Sequence, residues 1–108
     1  MDRKSPTAMD DKELVRALKA LADLSRLQMV HEVAEAGELS CGDLGKCFNV
    51  SQPTVSHHLK ILSEAGVLLT RAEGKHHFIS VNHALLDQLS GIIPARFPRR
   101  KKEVGARD

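Results

Sequence analysis

Apolar positions follow a helical period over most of the chain and switch to a two-residue period only once. In residues 51–66, SQPTVSHHLKILSEAG, Val55, Leu59 and Leu62 recur at i, i+4 and i+7 and line one face of a helix. Ser51 stands at the N-cap position, and Pro53 falls in the first turn, where its missing N–H costs nothing. Gly66 suits a left-handed residue at the C-terminal end. At about 100° per residue, the opposite face carries Pro53, Ser56, His57 and Lys60, with Gln52 and Thr54 at the exposed start. This helix packs by a narrow stripe and offers small hydrogen-bonding side chains elsewhere, where a helix made for solubility usually carries Glu and Lys.

Three helices are predicted ahead of it. Asp10 and Glu13 form a capping-box pattern before Leu14, Val15, Leu18, Leu21 and Ala22, so a first helix is expected over about 10–22. Ser25 with Gln28 repeats the pattern and opens a second, with Leu27, Val30, Val33 and Ala34 as its stripe and Gly37 as its end. Ser40 to Asn49 reads as a third, with Asp43 in the first turn and Leu44, Cys47 and Phe48 inward. Joined to the 51–65 helix through Val50 and Ser51, it makes a helix-turn-helix, whose second helix bears the open polar face.

The period then changes. Val67, Leu69 and Arg71 alternate with Leu68 and Thr70, Ala72-Glu73-Gly74-Lys75 is turn chemistry, and His77, Ile79 and Val81 alternate with His76, Phe78 and Ser80. A last helix is expected from about His83 to Phe97 despite Gly91 and Pro94. It has one stripe of Leu85, Leu89 and Ile92 and a second of Leu86 and Ile93. Two stripes exceed what seals a small core. The surplus predicts a two-fold homodimer through the last helix and the first, with Leu14 and Leu18 contributing. The expected fold is therefore mostly α with a β-hairpin: a winged helix-turn-helix of about five helices and a two-stranded wing, occupying residues 10–97. Residues 1–9 and the tail 98–108 are expected to be disordered.

Composition narrows the function. With 42% apolar residues but only three Phe and no Trp or Tyr, the core is aliphatic. No apolar run approaches the length of a membrane span, and Met1 to Pro6 leads into no apolar segment, so a cytoplasmic protein is expected. The formal charge of +2 is divided: residues 96–108 carry a net +4, whereas residues 1–95 hold ten basic and twelve acidic residues. Within that acidic remainder, Lys46, Lys60, Arg71 and Lys75 gather around the polar helix and the hairpin, against Glu64 and Glu73. A local positive field beside a helix that bears Gln and Ser points to duplex DNA, because those side chains bond base edges and a helix fits the major groove. The competing reading is a winged-helix protein-interaction module. The polar, aromatic-free helix argues against it, because protein interfaces enrich aromatics and Met. Neither a glycine-rich phosphate loop nor a nucleophile motif suggests an enzyme.

The segments LVRALKALADLSRLQMV, ELSCGDL, VSQPTVSHHLKILSEAGVL and EGKHHFISV, in that order over residues 14–81, resemble the ArsR/SmtB winged-helix repressors. The resemblance implies a homodimer that binds a pseudo-palindromic operator on double-stranded DNA, blocks transcription and is released by an inducer. Carried over by motif, Gln52, Ser56 and His57 would contact bases, Ser51 and Thr54 would hold phosphate, Lys60 would add charge, and Arg71 and Lys75 would serve the wing. The family's sensing sites depart from pattern here. Arsenic and lead sensors often read ELCVCDL; Ser40 and Gly42 replace both cysteines, and Cys41 lies alone between them. The Asp-x-His opening of the other common site is Asn82-His83-Ala84, and no His follows. No metal or other cofactor is therefore expected. Cys41, near a helix N-terminus that would lower its pKa, is the candidate sensor thiol. Cys47 reads as a small core residue.

Overall fold

The structure is a computed structural model that describes residues 9–48 and 50–100. The chain order is α1 (Asp11–Leu21), α2 (Leu24–Ala36), β1 (Leu39–Ser40), α3 (Cys41–Cys47), α4 (Gln52–Glu64), β2 (Leu68–Glu73), β3 (His76–Val81) and α5 (His83–Arg96). The three strands form one antiparallel sheet in the order β1-β3-β2. Five helices and the hairpin match expectation. β1 does not appear in the sequence reading, because two residues cannot show an alternation.

Local chemistry sets the boundaries. Asp10 and Glu13 complete the predicted capping box of α1, with Glu13 N–H donating to Asp10 Oδ1 at 2.8 Å and Asp10 N–H to Glu13 Oε1 at 3.0 Å. The cap of α2 is not Ser25 but Asp23, whose carboxylate accepts the Arg26 N–H at 3.0 Å. An ionised carboxylate two residues upstream outcompetes the hydroxyl for the free amides of the first turn. Arg26 then turns back onto α1, donating Nε to Ala20 O at 2.7 Å and Nη2 to Lys19 O at 3.3 Å. It bonds two carbonyls in the last turn of α1 and fixes the α1–α2 corner.

The core is aliphatic, as composition requires. Met29, Val33, Leu44, Val55, Leu62, Val67 and Ile79 are fully buried, drawn from α2, α3, α4, the α4–β2 corner and the sheet. The α2 stripe is rotated from the one read in the sequence: Met29 turns inward with Val30 and Val33, whereas Leu27 is 51% exposed and Ala34 is open. Moving the helix start to Leu24 is consistent with this phase. α3 is shorter than expected. It ends at Cys47, its one fully buried side chain is Leu44, and Cys47 faces solvent with its thiol donating to Asp43 O at 3.5 Å. Met9, expected in the disordered N-terminal segment, is buried in the core at 9% exposure. Residues 1–8 and 101–108, most of the two expected terminal segments, lie outside the described residues.

Two junctions place the wing. α4 ends in a Schellman motif, with Gly66 at φ 83°, Val67 N–H bonded to Leu62 O at 3.0 Å and Gly66 N–H to Ser63 O at 3.0 Å. Asn82 then closes the root: its Nδ2 donates to Gly66 O at 2.8 Å while its Oδ1 accepts Leu85 N–H at 3.2 Å, so one side chain joins the α4–β2 corner to the start of α5. The hairpin is tighter than the four-residue turn read from sequence. Glu73 pairs with His76, which leaves Gly74-Lys75 as a two-residue loop. Gly74 at φ 61° with a negative φ at Lys75 fits the type II′ turn favoured by strand twist.

Candidate nucleic-acid interface

α4 presents the predicted division. Val55, Leu59 and Leu62 are buried, and Ser51, Gln52, Pro53, Thr54, Ser56, His57 and Lys60 are all exposed. At its start, Ser51 Oγ accepts Thr54 N–H at 3.4 Å and lies 3.0 Å from Thr54 Oγ1. Two hydroxyls are thus concentrated at the positive end of the helix, where an anion is favoured. Gln52 lies against Gly45 of α3. The described residues thus hold a short helix, a tight connection and a second helix with an open polar face.

Strand pairing sorts the wing into two faces, because paired residues share a face and successive residues alternate. Thr70 pairs with Ile79 and Ala72 with His77. This face turns toward α4, where Ser56, Lys60, Ser63, Thr70, His77 and Cys41 border an open groove of about 270 Å³. Arg71 pairs with Phe78, Glu73 with His76, and Ser40 with Phe78 from the other side. These residues lie on the face turned away from α4.

Arg71 is therefore not placed as expected. It lies three residues before the turn glycine, on the far face, and both Nε and Nη2 donate to Glu38 at 2.9 Å. Nη1 donates to Glu73 Oε1 at 2.9 Å, and the guanidinium stacks 4.7 Å above the Phe78 ring. The hydrogen bond from Arg71 holds the Glu38 carboxyl below the usual range, and the two carboxylates raise the guanidinium pKa further. Lys75, in the turn, remains exposed. Sequence reasoning passed over Thr70 and His77. Their signal was present in the strand alternation, which puts them opposite Arg71.

The thiols also differ from expectation. Cys41 is the first residue of α3 but is half-buried, and burial pushes its pKa up. Desolvation of the charged form is the cause. Among the described residues, no three His, Cys, Asp or Glu side chains gather so as to hold a metal ion, and no helix is long and apolar enough to cross a membrane.

The expected dimer residues fall into three groups. Leu14 and Leu89 are buried at 7% and 6% exposure in the chain's own core, which removes them from the outer surface. Leu85, Leu86 and Ile92 are half-buried against that core. Leu18 and Ile93 are open, as are Val15 and Phe97. Arg96 bonds Asp11 at 2.8 Å, bringing the end of α5 to the start of α1.

Residues 23–68, from the cap of α2 to the first residue of β2, match the sequence pattern of the family described as "Bacterial regulatory protein, arsR family". The arsenical resistance operon repressor of Staphylococcus aureus is 43% identical over 81 residues, spanning 75% of this chain and 77% of that protein. The biofilm growth-associated repressor of Xylella fastidiosa (strain Temecula1 / ATCC 700964) is 33% identical over 91 residues, 84% of this chain and 79% of that one. Among solved structures, an ArsR-like transcriptional regulator from Rhodococcus sp. RHA1 superposes with a TM-score of 0.77 at 20% identity, covering 88% of this chain and 89% of its own. HlyU from Vibrio cholerae N16961 gives 0.62 at 26% identity, covering 84% and 100%. With an open polar helix, a wing beside it and these relatives, the chain belongs to the arsR family of bacterial regulatory proteins and is a DNA-binding transcriptional repressor with a winged helix-turn-helix fold.

Proposed function

We propose that the protein works in the cytoplasm as a homodimer, with each α4 entering a major groove of a pseudo-palindromic operator. The observation that carries this reading is the polar, fully exposed face of α4 from Ser51 to Lys60, held by a buried apolar stripe. Gln52, Ser56 and His57 contact base edges, Ser51 and Thr54 bind phosphate at the helix start, and Lys60 and Lys75 neutralise phosphates on either side. Val15, Leu18, Ile93 and Phe97 leave apolar surface where α1 and α5 meet, and this supports a two-fold interface there.

An inducer then releases the operator. The curated relatives named arsenical resistance operon repressors suggest an arsenical, and Cys41 is the thiol that borders the groove beside α4. The experiment is operator binding with arsenite, zinc, peroxide and sulfide added in turn, repeated on Cys41→Ser and Cys47→Ser. Arsenite or an oxidant should weaken wild-type binding and leave Cys41→Ser unaffected. Equal loss in Cys41→Ser removes the thiol from the proposal, and equal affinity for operator and random duplex in wild type removes sequence-specific repression itself.

A further inference from the structure

We propose that Arg71 is a strut, not a DNA contact: by bridging Glu38 and Glu73 it fixes the pitch of the wing against the helix-turn-helix. This proposal rests on the operator-binding reading and concerns how the wing is aimed within it. Glu38 precedes β1 and leads into α3, whereas Arg71 and Glu73 belong to β2, with the whole of α3 and α4 between them in sequence. The Glu38–Arg71 pair is thus a connection across the three-stranded sheet, from its β1 edge to its β2 edge.

The geometry fits a fixed strut. Three N–H groups of one planar guanidinium are engaged at 2.9 Å, two by one carboxylate in a fork and one by the other. Phe78, on the strand between them, supports the plane from below at 4.7 Å. An ammonium has neither the fork nor the plane, so lysine does not replace arginine in this role. Two carboxylates against one cation leave the cluster with net negative charge, which repels a phosphate. The cluster also lies on the face of the wing turned away from Ser56 and Lys60. Arg71 is therefore a positioning residue whose effect on DNA passes through the orientation of the hairpin.

The test uses the full chain with Arg71→Gln, Arg71→Lys, Glu38→Gln and the paired Glu38→Gln/Arg71→Gln, which keeps the net charge. All the substituted groups are exposed, so the fold should survive. A strut predicts that each single variant loses operator affinity by roughly tenfold, the scale of one well-made contact. It also predicts that the paired variant loses affinity with no change in the slope of log K against log salt. If Arg71 neutralises a phosphate, the paired variant's slope falls by about 0.9. If Glu38 only masks a DNA-binding cation, Glu38→Gln binds more tightly and more steeply with salt. Either result overturns the strut. A second readout needs no DNA: amides of β1 and β3 should exchange faster in Arg71→Gln, and unchanged exchange also overturns it. Absence of operator preference in wild type overturns the repressor reading instead, and amide exchange still decides the strut.

Discussion

Gln52 rests its carboxamide on Gly45, where a Cβ would collide with the Gln52 side-chain nitrogen. Gly45 lies inside α3, where glycine costs about 1 kcal/mol relative to alanine. Gly45→Ala should therefore raise the unfolding free energy by up to that amount while displacing Gln52 and reducing discrimination at the base pair Gln52 is proposed to read. Urea unfolding and competition binding with operator variants measure the two effects. A stabler protein with unaltered base preference would separate Gln52 from Gly45.

Ser56→Ala and His57→Ala should each reduce the preference for operator over random duplex by about 1–3 kcal/mol, while the salt slope stays constant. Lys60→Gln and Lys75→Gln should do the reverse, lowering the slope by about 0.9 each and weakening all duplexes alike. A salt series by fluorescence anisotropy distinguishes base readers from phosphate binders residue by residue.

Leu62 is fully buried on α4's inner face, in the last turn of the helix. Leu62→Ala should cost about 2–5 kcal/mol by leaving a cavity among packed side chains. Ser56→Ala, on the outer face of the same helix, should change stability by less than about 0.5 kcal/mol. Denaturant curves on the two variants test whether the helix is divided as described.

Two carboxyls sit below their ordinary values of 3.8 and 4.5: Asp23 chiefly through the Arg26 backbone N–H, and Glu38 chiefly through the Arg71 side chain. Each is ionised more readily in the folded chain than in the unfolded one. Their contributions are complete above the ordinary values and vanish as the pH drops through the lowered ones. The urea midpoint should therefore fall on acidification below about pH 4.5, and Asp23→Asn and Glu38→Gln should each flatten that decline. An unchanged decline in both variants would assign acid sensitivity to other carboxyls.

Burial raises the pKa of the Cys41 thiol and limits access to it, whereas Cys47 is exposed. At neutral pH, iodoacetamide should label Cys47 first and Cys41 slowly, and the difference should disappear in urea. Mass spectrometry of timed digests reads both sites. Faster labelling of Cys41 in the folded protein would contradict its placement.

Most of the fold was legible because α1, α4 and the hairpin announce themselves locally. Asp10 with Glu13, Ser51 with its buried stripe, and Gly66 at the turn all act within a few residues of where they stand. The differences arise where a residue outside the local pattern decides the outcome. Asp23 displaced Ser25 as a cap, and the phase of α2 differed with it, so Met29 entered the core in place of Leu27. Arg71 reads from sequence as a wing cation, whereas the structure pairs it with Glu38, 33 positions away. The α4 face needed only helical geometry, but the functional side of the wing depended on the register between β2 and β3. A period of two gives alternation without saying which set faces α4.

Ser40 belongs to two structures at once: it pairs with Phe78 at the sheet edge, and its hydroxyl accepts the Asp43 N–H that opens α3. One residue thus ties the sheet edge to the first turn of α3, the helix whose Gly45 lies against Gln52. Cys41 follows it directly, so an adduct on that thiol would form beside a residue that strand and helix share.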